Sequence, residues 1–217
     1  MARLARGLLA LTATVVLLEA CHTAPPRPSP PGAPWAERRS ELQSLAGFHL
    51  DGRVAVAAAD QGFSAHIDWQ QHGAGSVVQL NGPLGVGAMR VVASAGQLAV
   101  TNSSGQQLDQ SAAREELHNR LGFDPPLGSL RYWVLGVPDP ATPSNETLGA
   151  DQRLAQLEQD GWSIQYGAYM AGGTDGLPQR LSLTRGSVRV KLLVSRWQLP
   201  GAPERAPTAP ERAGGAP

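Results

Sequence analysis

Residues 77–92, VVQLNGPLGVGAMRVV, decide the fold because they form two apolar segments joined by a short turn. Pro83 has a fixed φ and Gly85 tolerates a positive φ, so the segment predicts two antiparallel strands with Leu84 at the tip of a rigid turn. Turns in water usually carry glycine, proline, asparagine, aspartate or serine. A leucine there offers apolar surface whose burial in a partner would contribute about 1.5–3 kcal/mol. The alternative is that Leu84 folds back beneath the sheet as an ordinary core residue.

On both sides of this hairpin, apolar and polar residues alternate with a period of two, which is typical of half-buried strands. The apolar sets before the hairpin are Leu50, Gly52, Val54 and Val56, then Ala65, Ile67 and Trp69. The sets after it are Trp162, Ile164 and Tyr166, then Leu181 and Leu183, and finally Val188, Val190, Leu192 and Val194. The connections are too short for crossover helices, so we expect an antiparallel meander of about eight to eleven strands.

Three segments are predicted to be helical. The first covers residues 36–45, where Leu42 and Leu45 share a helical face. The second is capped by Ser111 and ends at Gly122. The third opens with two prolines and ends at Gly136, and its apolar stripe is Leu127, Leu130, Trp133 and Val134.

Two further segments connect these elements to the last strands. Residues 137–149 are predicted to be a loop because prolines interrupt them. Residues 151–159 fit a helix or a strand equally well. The Asp160-Gly161 pair that follows is a strong hairpin signal and favours the strand.

These elements together predict a mainly β fold, an antiparallel, incomplete, half-open β-barrel with a helical lid over its concave apolar side. The pattern leaves open whether the interior is a filled core or an apolar cavity. A cavity is favoured by the small residues expected inside: Gly52, Ala55, Ala57, Ala65, Gly87 and Ala88. The side chains expected to line such a cavity are Val54, Ile67, Trp69, Leu80, Leu130 and Trp133.

The composition excludes several classes of function. The 217-residue chain carries 18 basic and 18 acidic residues, so it lacks the basic surface of a nucleic-acid-binding protein. Its only lysine is Lys191, which removes most Schiff-base and phosphate-loop chemistry. The sequence contains no metal-spaced ligand pair, nucleophile elbow or complete dinucleotide motif. We therefore expect no enzymatic activity, no catalytic residues, no metal, no cofactor and no nucleic-acid partner.

The N-terminus predicts export and lipidation. Arg3 and Arg6 precede an apolar run over residues 8–18, which has the length of a signal-peptide core. The run ends in Leu-Glu-Ala-Cys at Cys21, which resembles the bacterial lipobox, although Glu19 stands where a small residue is usual. Cys21 is the only cysteine, so no disulfide forms within one chain. Several acyl chains on this cysteine would anchor the protein stably to a membrane.

These signals divide the chain into four parts. Residues 1–20 are predicted to be a cleaved signal peptide, and residues 21–34 a lipidated cysteine followed by a proline-rich tether. His22 after the cysteine weakly favours the outer membrane over the inner one. Residues 35–199 form one folded domain, and residues 200–217 are rich in alanine, proline and glycine, which predicts a disordered tail.

The order of these motifs resembles that of the outer-membrane lipoprotein receptor family LolB over residues 35–199. The motifs that carry the resemblance are Gly52-Arg53-Val54-Ala55-Val56, Ile67-Asp68-Trp69-Gln70, Leu80-Asn81-Gly82-Pro83-Leu84-Gly85, Leu121-Gly122, Leu130-Arg131-Tyr132-Trp133-Val134-Leu135-Gly136-Val137-Pro138, Gly161-Trp162 with Tyr166 and Tyr169, and Val190-Lys191-Leu192 before Trp197.

This resemblance implies a half-open barrel whose cavity accepts the acyl chains of lipoproteins from the periplasmic carrier LolA. It also implies a monomeric receptor that faces the periplasm and releases its cargo into outer-membrane lipids. The protruding leucine of the family's membrane-contacting loop corresponds to Leu84, within Pro83, Leu84 and Gly85. The alternatives are another lipid-binding lipoprotein and a structural lipoprotein with a solid core and no role in transfer.

Overall fold

A computed structural model describes residues 35–59, 61–94, 96–171 and 176–200. The predicted signal peptide, Cys21, the tether and nearly all of the predicted tail lie outside these residues. The helices are α1 (Trp35–Gln43), α2 (Gln110–Leu121) and α3 (Leu127–Trp133). The strands are β1 (Gly47–Ala58), β2 (Gln61–His72), β3 (Gly75–Asn81), β4 (Met89–Ser94), β5 (Gln97–Thr101), β6 (Gln107–Asp109), β7 (Ser144–Leu148), β8 (Leu154–Gln159), β9 (Trp162–Tyr169), β10 (Pro178–Arg185) and β11 (Val188–Gln198).

These eleven strands form one antiparallel sheet in the order β6-β5-β4-β3-β2-β1-β11-β10-β9-β8-β7. Pairing of β1 with β11 joins the N-terminal and C-terminal halves of the meander, with Val54 opposite Leu192. The end strands β6 and β7 do not pair with each other, so the barrel is incomplete. The predicted fold class is thereby confirmed.

Alternation along β1 and β2 determines which face of the sheet is buried. Leu50, Val54 and Ile67 point to the interior, whereas Arg53 and His66 between them are exposed. Two of the small residues expected inside belong to the other face: Ala57 is exposed and Ala55 is half-buried. Because successive side chains on a strand point to opposite faces, the buried neighbours Val54 and Val56 force both alanines outward.

Helices α2 and α3 lie over the concave face, as predicted. Helix α2 contributes Ala113, Leu117 and Leu121, and α3 contributes Trp133, to the same apolar core as the strands. Gly122 ends α2 in the left-handed conformation with φ 75°, which confirms the predicted C-cap. The predicted start was wrong, because α2 begins at Gln110 and the residue at the N-cap position is Asp109.

The segment predicted to be a proline-broken loop, residues 137–149, contains a strand, β7. Its sequence Ser-Asn-Glu-Thr-Leu is polar and lacks a clear apolar alternation, so it gives no strand signal. The polar side chains are used by α1: Trp35 Nε1 donates to Glu146 at 2.6 Å, and Arg39 forms an ion pair with the same carboxylate at 3.0 Å. Helix α1 is therefore attached to this edge strand through the Glu146 carboxylate.

A buried glutamine connects α3 to the C-terminal half of the sheet. Gln159 Oε1 accepts hydrogen bonds from Trp133 Nε1 at 2.8 Å and from the Asp139 amide at 2.9 Å. Its amide nitrogen donates to the carbonyl oxygens of Asp139 and Thr142, both at 2.8 Å. Both ends of the side chain are thus fully used, as buried polar groups require.

Gln159→Leu is expected to lower the free energy of unfolding by about 2–4 kcal/mol, because the indole and amide donors lose their acceptor while staying buried. Urea unfolding followed by tryptophan fluorescence measures the change. The matched control is Gln165→Leu at an exposed position of β9, which should stay within about 0.5 kcal/mol of the wild type. Equal stability of the two variants would contradict this role of Gln159.

Candidate functional site

The loop between β3 and β4 is a rigid turn with Leu84 at its tip. Pro83–Gly85 forms one turn of 3₁₀ helix, in which the Gly85 amide donates to the Gly82 carbonyl at 3.0 Å and the Val86 amide to the Pro83 carbonyl at 3.1 Å. A Cβ at Gly82 would overlap the Val86 carbonyl oxygen, so the turn closes only on glycine there. The backbone thus holds the tip residue in one position.

Leu84 projects fully into solvent, with a relative exposure of 103%. The alternative that it folds back beneath the sheet is therefore wrong. Val86 beside it is 72% exposed, which makes this loop the most apolar exposed point of the described residues. Sequence reasoning placed Leu84 at the tip but did not single out Val86.

Leu84 also has a strained backbone, because its φ is 56° and its ψ is 23°. For a residue other than glycine or asparagine, this left-handed conformation costs about 1–2 kcal/mol. In the protein alone, Leu84 therefore has two free-energy costs: its left-handed backbone and the exposure of its apolar side chain to water. A partner that buries the side chain would offset both.

The six side chains expected to line an acyl cavity meet in one cluster on the concave side. Val54, Ile67, Trp69 and Leu80 come from the sheet, Trp133 from α3, and half-buried Leu130 packs against the same apolar core. The first five are 9% exposed or less. The sequence therefore predicted the shared location of these residues, while their role in binding acyl chains remains a prediction.

Side chains fill the interior around this cluster, so the residues do not surround an open hollow in this structure. A cavity of about 20 Å³ lies under Leu42, Phe48 and Tyr132, with room for about one water molecule. Trp133 is 0% exposed because its ring fills the space beneath α3, 6.2 Å from the Trp162 ring.

A larger cleft of about 730 Å³ lies elsewhere, between the turns that join β8 to β9 and β10 to β11. Its walls include Glu158, Asp160, Arg185 and Arg189. Charged walls are unsuited to hydrocarbon, because apolar chains gain nothing from polar contacts and would desolvate the charges. This cleft is therefore a poor candidate for an acyl-chain site.

The polar face of β1 and β2 carries two histidine–aspartate pairs. His49 Nε2 lies 2.6 Å from Asp68, and His66 Nε2 lies 3.1 Å from Asp51. Burial lowers the pKa of His49, but the hydrogen bonds to Asp68 and Gln198 outweigh it and leave the pKa raised. Among the described residues, no group of three or more histidine, cysteine, aspartate or glutamate side chains is arranged to hold a metal ion.

A contact that sequence reasoning missed joins the Leu84 loop to α2. Arg120 Nη2 donates to the Gly87 carbonyl at 3.0 Å, and its guanidinium carbon lies 5.4 Å from the centre of the Phe63 ring. These residues are far apart in the chain, so no local pattern indicates the contact.

None of the helices in the described part of the chain is long and apolar enough to cross a bilayer.

Solved structures show the fold class. A LolA superfamily protein from Nitrosomonas europaea aligns with a TM-score of 0.50 at 13% identity, covering 76% of this chain and 91% of that one. A DUF1329 family protein from Desulfovibrio piger aligns with a TM-score of 0.51 at 5% identity, covering 77% of this chain and 91% of that one. At these identities the likeness concerns the fold alone.

Sequence relatives show the family. The family model described as outer membrane lipoprotein LolB matches residues 46–197. Outer-membrane lipoprotein LolB of Pseudomonas syringae is 34% identical over 166 residues, covering 76% of this chain and 81% of that protein. The Pseudomonas aeruginosa protein of the same name is 34% identical over 164 residues, covering 76% and 80%. The chain belongs to the outer-membrane lipoprotein LolB family.

Leu84→Asn is expected to raise the free energy of unfolding by about 0.5–1 kcal/mol, because asparagine tolerates the left-handed conformation better than leucine. Val86→Asn is the matched control, since Val86 is also apolar and exposed but has an ordinary φ of −66°. Chemical denaturation of both variants checks the difference. A stabilisation of the same size in both would show that exposure rather than strain governs the tip.

Proposed function

We propose that the chain is an outer-membrane receptor for lipoproteins that takes their acyl chains from the periplasmic carrier LolA and releases them into the membrane. It faces the periplasm as a monomer, held to the membrane by lipidated Cys21. The observation that carries the proposal is Leu84, a fully exposed leucine on a rigid turn of a LolB-family chain. The names of its relatives support the outer-membrane location.

Transfer of this kind needs no chemical step. Each methylene kept out of water contributes about 0.8 kcal/mol, so acyl chains move only between apolar surroundings. The handover runs downhill if the receptor binds the chains more tightly than the carrier does, and the membrane more tightly than either. A reaction site and a bound cofactor are unnecessary for such a process.

Uptake requires the interior to open, because its side chains are packed in the structure described above. The residues proposed to contact the acyl chains remain Val54, Ile67, Trp69, Leu80, Leu130 and Trp133. The Leu84 loop, with Pro83 and Gly85, projects from the ends of β3 and β4 and contacts the bilayer. Insertion of the leucine side chain perturbs lipid packing next to the opening from which the cargo leaves.

In vitro transfer tests the role of the loop. Purified carrier loaded with a lipidated substrate is mixed with the receptor, and then with phospholipid vesicles. Leu84→Glu should accept cargo at the wild-type rate but deliver it to vesicles at least about tenfold more slowly, since a charge at the tip is costly to place in hydrocarbon. Leu84→Phe, which keeps the tip apolar, is the control and should deliver cargo. Delivery by Leu84→Glu at the wild-type rate would contradict the proposal.

The anchor has a separate test. Cys21→Ala removes the thiol that a diacylglycerol would modify, so the protein should be recovered in the soluble periplasmic fraction after cell fractionation. His22→Ala, which leaves the cysteine intact, should remain with the membranes. Membrane association of the alanine variant at position 21 would remove the basis for a lipid anchor there.

A second candidate function is favoured by the filled interior. A structural outer-membrane lipoprotein with a solid core would need neither an opening nor a membrane-contacting tip. It would bind no lipidated substrate from the carrier at any concentration. The first step of the transfer assay therefore separates the two functions before vesicles are added.

A further inference from the structure

Arg120 is the one side chain of α2 that the structure shows bonded to the Leu84 loop. It lies in the last turn of the helix, half-buried, with its guanidinium between the Gly87 carbonyl and the Phe63 ring of β2. Among the described residues it forms no ion pair with a carboxylate. Its charge is therefore held by a neutral carbonyl and an aromatic face, which are weaker partners for a cation than an anion is.

Gly87 leaves room for this guanidinium because it has no side chain. Its φ is 68°, a conformation that favours glycine, and a Cβ at this position would overlap the Arg120 guanidinium. Any other residue would displace the arginine from the loop backbone. The contact thus depends on the pair and not on Arg120 alone.

Helix α2 in turn covers the interior. Its apolar residues Ala113, Leu117 and Leu121 are buried in the core, and Gly122 at its end lies against Ala58 at the end of β1. The other polar contact near this end joins His118 to Asp124 at 3.2 Å and stays on the surface. Among the described residues, the hydrogen bond from Arg120 is therefore the polar contact through which a displacement of the loop would move α2.

If the Leu84 loop contacts a membrane, the Arg120–Gly87 contact lies among the lipid headgroups. Gly87 is three residues from Leu84, a separation of at most about 10 Å. When the Leu84 side chain enters the hydrocarbon, the Arg120 guanidinium therefore comes within reach of lipid phosphates. A phosphate oxygen is a stronger, charge-assisted acceptor than a carbonyl oxygen and can bind the guanidinium through two hydrogen bonds.

We propose that Arg120 is a positioning residue that ties α2 to the Leu84 loop through Gly87 and exchanges that carbonyl for a lipid phosphate at the membrane. The exchange releases α2 and uncovers the interior where the bilayer can receive the cargo. In water, and before cargo enters, the tie is intact and α2 stays over the interior. This inference rests on the proposed function, because it supplies the event that opens the receptor at the membrane for release of the cargo.

Hydrogen exchange of the α2 amides tests the coupling without any cargo. The full chain is made soluble by Cys21→Ala and measured with and without vesicles of phosphatidylcholine and phosphatidylglycerol. Vesicles should speed exchange at Leu117 and Leu121 about tenfold in this parent protein, in line with ordinary coupling between sites. With Leu84→Glu added, exchange should stay slow in both conditions.

Arg120→Met should give fast exchange with and without vesicles, since the tie is already absent. Arg120→Lys keeps a cationic donor and should restore part of the vesicle response. The control is Arg114→Met, an exposed arginine of the same helix, which should behave as the parent protein. A merely structural arginine would raise exchange in many elements and lower thermal stability without removing the response to vesicles.

Two results would overturn the inference. One is α2 exchange in the parent protein that vesicles leave unchanged, and the other is an Arg120→Met variant that still responds to vesicles. Neither depends on delivery of lipoproteins. A receptor that delivers cargo while Arg120→Met keeps its response would refute the coupling alone, whereas absence of delivery by the wild-type receptor would refute the proposed function.

Discussion

An incomplete barrel has a concave apolar face that must be covered, and α3 meets this requirement through one fully buried tryptophan. Trp133 fills the space under the helix, and its indole nitrogen donates to Gln159. Its carbonyl oxygen accepts a hydrogen bond from the Tyr166 hydroxyl at 2.9 Å. Burial raises the pKa of Tyr166 well above its usual value, so this hydroxyl keeps its proton and remains a donor.

The two helical covers are consequently held in different ways. Helix α3 is fixed to β8 and β9 by two hydrogen bonds at Trp133: its indole donates to Gln159, and its backbone carbonyl accepts from Tyr166. Helix α2 contributes three smaller apolar side chains to the core, contacts β5 and β6, and is bonded to the Leu84 loop through Arg120. Separation of α2 from the sheet would therefore leave fewer buried polar groups without partners than separation of α3 would.

Much of this architecture could be predicted from local sequence. The hairpin around Leu84, the turn at Asp160-Gly161 and the end of α2 at Gly122 each follow from a conformation that few residues adopt, and glycine or proline marks each place. Strand β7 could not be predicted, because its stability comes from pairing with β8 and from α1 across its polar side chains. A pattern within five residues carries no trace of those distant partners.

The candidate site, like the fold, could be predicted from the sequence only in part. The sequence identified the residues that face the interior, because alternation decides which face is apolar. It left the state of that interior open, since filling depends on how helices remote in the chain place Trp133 and Leu121 against the strands. The hydrogen bond between Arg120 and Gly87 could not be predicted either, because it joins positions separated by 33 residues.

The left-handed backbone at position 84 has a consequence for protein engineering. A selection for thermostable or highly expressed variants scores folding alone, and it would favour glycine or asparagine at this position. Such a library would converge on stable proteins that have lost the side chain proposed to contact the bilayer. Position 84 should therefore be held constant whenever a sturdier form of this protein is sought.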